Sequence, residues 1–277
     1  MTDVDFPIMT KLFRLLKKLL ICLKNSPLTD IIKFLLVGGA IIWLMARGTE
    51  RLGYNWQWYR VPRYLFSFEN GNFIPGPLIN GLMVTFQITG ISLPLAFAFG
   101  LITAFFRLSE SFLAKILARI YLELIRNTPL LIQLFFIYFV LSPILNISRF
   151  ASAVLALSLF EGAYASEIFR AGIISIHTGQ WETARSLGFN TFQTYQHVIL
   201  PQAIRRILPP LTSQGISLIK DSALVSTIAI YDLTMQGQAI IAETYLTFEL
   251  WFTIAAIYLF ITATLSISIS IMEKYMR

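Results

Sequence analysis

An all-α polytopic membrane protein is the fold class this sequence predicts, and three observations predict it. Hydrophobic residues make up 56% of the 277 and charged residues only 13%, about half the charge of a typical soluble domain. Mean hydropathy is +0.68, and the apolar residues fall into blocks of membrane-crossing length. The 22 Lys and Arg give a net charge of +7, but they are dispersed in the short loops between those blocks. That placement is what bilayer orientation requires, and it argues against a nucleic-acid surface.

Residues 1–30 read as a basic amphipathic N-terminus, with Lys11, Arg14, Lys17, Lys18 and Lys24 set among Leu, Ile and Phe, a pattern suited to an anionic membrane surface. A first span follows at 31–46, with Lys33 near one end, where it can snorkel to the interface. Trp43-Leu-Met-Ala46-Arg47 has no small-x-small cleavage pattern and the charged leader is long, so an uncleaved span is expected rather than a signal peptide. Residues 47–76 hold Tyr54, Trp56, Trp58, Tyr59 and Tyr64 beside Gly, Asn and Pro, the composition of an interfacial aromatic belt in an outer loop.

A core is predicted over 77–272. Its spans are expected at 77–106, 129–145, 151–174, 207–230 and 251–272, with a polar loop at 175–204 and a short tail at 273–277. Pro129 suits a first-turn position, and Asn127-Thr128 before it read as a cap. Pro209, Pro210 and Lys220-Asp221 inside the fourth core span require neighbouring helices or a wet cavity. Fifteen Lys and Arg fall on the side of the N-terminus, 107–128, 170–208 and the C-terminus, against five on the other. Both termini and the 175–204 loop are therefore expected in the cytoplasm. Asp232 to Glu249, without Lys or Arg, is expected outside.

That cytoplasmic loop carries the most specific signal in the chain: Trp181-Glu182-Thr-Ala184-Arg185-Ser-Leu187-Gly188, nine residues, then Val198-Ile-Leu200-Pro201. Ala184, Leu187 and Gly188 share a helical face at spacings of three and four, Glu182 is placed near the helix start, and Gly188 suits a C-terminal position with positive φ. The pattern resembles the coupling loop of ABC importer permeases, with Thr183 for Ala and Val198 for Ile as departures. Ala163-Tyr164-x-x-Glu167-Ile-x-Arg170-Ala-Gly172, Arg126-Asn-Thr-Pro129-Leu-Leu and Lys220-Asp221-Ser-Ala-Leu224 are similar to the polar amino acid permeases, the binding-protein-dependent histidine, glutamine and arginine type.

The resemblance implies a type I ABC importer permease fold, with one N-terminal transmembrane helix before a five-helix core, in a bacterial inner membrane. It implies that Trp181, Glu182, Ala184, Arg185, Leu187, Gly188, Leu200 and Pro201 dock on an ATP-binding subunit. The partners it implies are an ATPase dimer, a periplasmic or lipoprotein solute-binding protein, a second identical or homologous permease, and a polar amino acid as substrate. ATP and Mg belong to the partner, and no cofactor is expected in this chain. The chain is expected to be no enzyme: it has no G-x-x-x-x-G-K-[ST], H-E-x-x-H or G-x-S-x-G, one cysteine and two histidines. One cysteine excludes an internal disulfide framework.

Within the 151–174 span, Glu161, Tyr164 and Glu167 fall on successive turns with Arg170 one turn further. A carboxylate at mid-membrane costs about 2.5–3.5 kcal/mol on the insertion scale, so each should face a cavity or a partner. Glu161 is a candidate acceptor for a substrate ammonium or basic side chain. Ion pairs of Glu167 with Arg170, or of Glu161 with Lys220, are the alternatives. Thr85, Gln133, Lys220 and Asp221 are further candidates to line the path, with helix-to-helix hydrogen bonding the alternative for Thr85 and Gln133. Another small-solute ABC permease, an ATP-independent channel and a secondary carrier are the rival functions. The long polar loop with its fixed glycine and Leu-Pro separates the ABC reading from the last two, because an ion-driven carrier needs no docking element.

Overall fold

The computed structural model describes residues 27–276, apart from 52 and 70. The amphipathic segment expected at 11–24 lies outside the described residues. The chain divides into two units, Met1–Trp56 and Gln57–Arg277.

In the first unit, helix α1 (Pro27–Arg51) contains the expected 31–46 span and exceeds it by about a turn at each end. Its described apolar side chains, among them Phe34, Leu36, Ile41 and Leu44, are exposed. Lys33 donates to Asp30 at 3.0 Å, one turn back, and the Arg47 guanidinium lies 4.5 Å over the Trp43 ring.

Near its start, after short helical turns at Trp58–Arg60 and Pro62–Leu65, the second unit has an element not expected from the sequence: β1 (Phe66–Glu69) pairs antiparallel with β2 (Asn72–Pro75). Gly71 at φ +79° turns the chain, and Phe66, Phe68 and Phe73 pack on one another at about 6 Å. The signal was the Asn70-Gly71 dipeptide between apolar residues, a strong hairpin marker. Tyr59 remains exposed as a belt residue would, whereas Trp58 rests on Phe252.

Helix α2 (Pro77–Leu108) starts with Pro77, whose missing N–H is harmless in a first turn. Helix α5 (Arg149–Ile174), capped by Ser148 through Ala151 N–H, is its main neighbour. Small residues let the two backbones approach. A Cβ on Gly100 would lie 2.8 Å from that of Ala165, and one on Gly162 would lie 3.1 Å from Ala96 O. Ser92 and Ser158 bond across the seam to Val154 O and Ser92 O. Such packing replaces the hydrophobic driving force that lipid does not supply.

Between them, α3 (Phe112–Arg126) and α4 (Leu130–Leu145) meet at 105°. Pro129 precedes the first helical residue, as N-cap rather than N1. Asn127 and Thr128 close the end of α3 through Glu123 and Leu124 instead of capping α4, because the backbone reverses there and leaves the α3 carbonyls unpaired. A wide π turn at Phe136–Leu141 precedes Pro143 in α4.

After α6 (Thr178–Ser186), a short helical turn at Thr191–Thr194 and a π turn at Tyr195–Ile199 lead into α7 (Leu200–Asp221). The expected 207–230 span is thus shifted: the helix begins seven residues earlier, inside the expected 175–204 loop. The π turn supplies the local unwinding that a proline at the second helical position tolerates. The helix runs through Pro209 and Pro210 and becomes a 3₁₀ turn at Ser222–Ile228, ended by Ala229 at φ +56°. Residues 232–249, expected as an outer loop, form α8 (Leu233–Thr244), capped by Asp232 through Met235 N–H at 2.8 Å. Gly237 leaves no room for a Cβ against Ile254 of α9 (Thr247–Met276), and Leu233 and Leu246 are fully buried. Burial of that face holds a helix that is too short to register as a span.

By length and composition α2, α5 and α9 can each cross a membrane, and the bent pair α3–α4 makes up to a fourth span.

Candidate functional site: a capped loop helix and a buried carboxylate

Helix α6 is held at both ends by local bonds. His177 Nδ1 accepts from Gly179 N–H at 3.0 Å. At the other end, Gly188 N–H reaches Arg185 O and Phe189 N–H reaches Ala184 O, with Gly188 at φ +80°. This is the Schellman arrangement, and it confirms the positive φ expected of the glycine. A Cβ at Gly188 would meet nothing within 4 Å, so conformation and not space demands glycine. Two expectations change. Glu182 is the fifth of nine residues rather than near the helix start, because the helix begins at Thr178. Ala184 and Leu187 do not share a face: Ala184 is buried while Leu187 is 70% exposed, since Leu187 is already the C-cap and its backbone has left the helical path.

Fixed packing carries this loop into the bundle. Trp181 meets Tyr195 edge-on at 5.1 Å and packs on a cluster containing Ile173, Ile199 and Ala203. Arg206 donates to Ser175 O at 2.6 Å and Oγ at 3.0 Å, tying α7 to the α5–α6 junction. Gln202 donates to Gln180 Oε1 at 3.3 Å. Leu200 and Pro201 begin α7 directly beneath this contact, and Gly172 of α5 lies tight against Ile207. Outward, Glu182, Arg185, Leu187 and Phe192 stand exposed. The loop thus contacts the ends of both α5 and α7.

The residues expected along the path separate into three groups. Glu161, 1% exposed, accepts a hydrogen bond from Gln214 Nε2 of α7, and its Oε1 has no hydrogen-bond partner among the described residues. The Glu161–Lys220 pair weighed above does not form: Lys220 is exposed, and Gln214 takes its place. Asp221 is half-buried at the end of α7. Tyr164 and Glu167 turn elsewhere. Three-residue steps rotate a helix position by about 60°, so by Glu167 the side chain faces α2 and α3. There Arg107, Arg126 and Arg170 approach Glu167 at 2.6, 3.0 and 3.2 Å, and Arg126 also lies over the Tyr164 ring at 5.9 Å. Both Glu167 oxygens are thereby engaged, as the ion-pair alternative anticipated but with two more arginines than Arg170.

Thr85 and Gln133 each hold backbone groups of neighbouring elements, and Gln133 Oε1 has no hydrogen-bond partner among the described residues. Thr85 Oγ1 donates to Gly81 O and accepts from Leu233 N–H, anchoring the start of α8. Gln133 Nε2 reaches Ile125 O, Thr128 O and Thr128 Oγ1 at 2.7–3.0 Å, pinning the α3–α4 bend. Gln214 is the functional candidate that sequence reasoning missed. Its signal was an amide inside an expected span.

Over 203 residues, which are 72% of this chain and 93% of the relative, the sequence is 39% identical to the glutamine transport system permease protein GlnP of Escherichia coli K12. The crystal structure of an amino acid ABC transporter with histidines is 40% identical over 72% of this chain and 94% of the other, with a TM-score of 0.68. The inward-facing MetNI methionine ABC transporter, at 18% identity and a TM-score of 0.61, shares the fold alone. The architecture is that of type I ABC importer permeases. Residues 51–277 match the family described as binding-protein-dependent transport system inner membrane component, and the chain belongs to that family.

Proposed function

We propose that this chain is the permease subunit of an ATP-driven importer that takes a polar amino acid from a solute-binding protein. The observation that carries the reading is the capped α6 helix, tied to α7 by Gln202–Gln180 and packed through Trp181 on Tyr195 and the cluster of Ile173, Ile199 and Ala203, next to the Arg206–Ser175 bond that joins α7 to the end of α5. It presents exposed Leu187 and Phe192, apolar groups that a docking partner would cover. In this mechanism an ATPase subunit seats α6, with ATP and Mg bound on that subunit. Its closure then moves the cytoplasmic ends of α5 and α7, which carry Glu161 and Gln214. A second permease copy completes the pathway, and a nucleotide shifts the equilibrium only by its differential affinity for the two states. The termini are cytoplasmic, and α1 is an added span ahead of the core.

The substrate reading rests on Glu161. A buried carboxylate with one oxygen held by an amide and the other unsatisfied suits an ammonium or a polar side chain, since leaving such a group unpaired is costly. Relatives named for glutamine and a structure with histidines belong to that chemical range. The test is reconstitution of the chain with its cognate ATPase and binding protein in liposomes, followed by ATP-dependent uptake of acidic, basic and neutral polar amino acids. Uptake of one class, weakened in Glu161→Gln, supports the assignment. ATP-independent flux would replace it with a channel or carrier.

A further inference from the structure

On the same end of the bundle as α6, α3 presents three distinct faces. Ala118, Tyr121 and Leu122 face inward: Ala118 and Leu122 are buried, and Tyr121 OH donates to Leu159 O at 2.6 Å. Leu113, Leu117, Ile120 and Leu124, at helical spacing, form an exposed apolar stripe. Between the two runs a polar row of Lys115, Arg119, Glu123 and Arg126. Because α3 and α4 meet at 105°, α3 does not continue the axis of α4, and its apolar stripe flanked by cations is the pattern of a helix at the membrane interface. There an apolar stripe sinks to the acyl boundary and flanking cations meet headgroups.

The polar row lines a cavity of about 520 Å³ shared with Arg107 and Glu167. Its charge is not balanced from within. Glu167 is taken by Arg107 and Arg126 and Glu123 accepts from Asn127 at 2.7 Å, whereas Lys115 and Arg119 have no carboxylate within 4.0 Å among the described residues. Four cations against two carboxylates leave the cavity cationic.

We infer that this cavity binds the phosphate headgroup of an anionic phospholipid, with the acyl chains lying along the Leu113, Leu117, Ile120 and Leu124 stripe. The apolar stripe beside the cations is what favours a lipid over a soluble anion. Neither the transported substrate nor the ATPase enters this inference, so it stands or falls separately from the importer reading.

The test is native mass spectrometry of the purified full chain, titrated with phosphatidylglycerol or with phosphatidylcholine, alongside the double variant Lys115→Gln/Arg119→Gln. Both positions are exposed, so the fold should survive. At about 1 kcal/mol per basic residue, removing both should weaken phosphatidylglycerol binding roughly 30-fold. Phosphatidylcholine binding should not change. The charge-preserving Lys115→Arg/Arg119→Lys should retain phosphatidylglycerol, as should Arg63→Gln, an exposed arginine before the start of α2. Equal phosphatidylglycerol binding by the double variant would overturn the site. Displacement of the lipid by millimolar inorganic phosphate would overturn the lipid assignment.

Discussion

Glu161 and Glu167 lie six residues apart on α5, yet the bundle treats them oppositely. Glu161 is closed off from solvent and meets an amide. Glu167 sits partly open at the α6 end of the bundle among three guanidiniums contributed by α2, α3 and α5. A carboxylate surrounded by arginines is a fastener: its charge is consumed in holding three helix ends together. A carboxylate left with an unsatisfied oxygen in the interior is available to something else. One helix therefore carries a candidate binding group and, two turns on, a lock next to the loop that would drive it.

The comparison depends on that loop being a docking element, and Gly188→Asp should break it most completely. Asp tolerates the left-handed conformation better than most residues and the space around Gly188 is open. Membrane levels of the variant should therefore stay near wild type while ATP-driven uptake falls to background. Normal uptake by a well-inserted variant would detach α6 from transport.

Next in size, Glu167→Gln should destabilise the protein by about 2–3 kcal/mol, between the values for exposed and buried ion pairs, because three guanidiniums lose their common partner. Thermal unfolding in detergent reads this directly, and Glu161→Gln should lie within about 1 kcal/mol of wild type in the same assay. If Glu167→Gln unfolds like wild type and instead changes substrate choice, the two roles are reversed.

Glu161→Gln should act on substrate instead, raising the apparent KM about 10- to 100-fold, the range for losing one charge-assisted hydrogen bond. Gln214→Leu should act in the same direction. Unchanged uptake of every amino acid by both variants would make this pair structural too. The smallest effect should come from Gln133→Leu, costing about 1 kcal/mol by releasing the α3–α4 bend. Its substrate profile should match wild type, and a shifted profile would return Gln133 to the pathway.

Span-length apolar blocks and loop-borne cations were legible along the chain because bilayer thickness and charge cost act on composition, whatever the neighbours. The hairpin at 66–75 is legible in principle through Asn70-Gly71. Helix α8 is not, since twelve residues are too few to register as a span and only packing on α2 and α9 shows which face is buried. In the site, spacing announced the capped loop helix and its left-handed glycine, but Gln214 could not be joined to Glu161 without knowing that α7 lies against α5.

The sequence by itself determined the membrane class, the loop from Trp181 to Pro201 with its left-handed Gly188, and which helices carry charge. These follow from local rules: hydropathy, backbone sterics and capping. Only the tertiary structure decided which carboxylate is spent. Three-residue spacing drifts around a helix by about 60° a step, so Glu161, Tyr164 and Glu167 could not remain on one face. What each one met was fixed by the helices packed against α5, with Gln214 on one side and the arginines of α2 and α3 on the other.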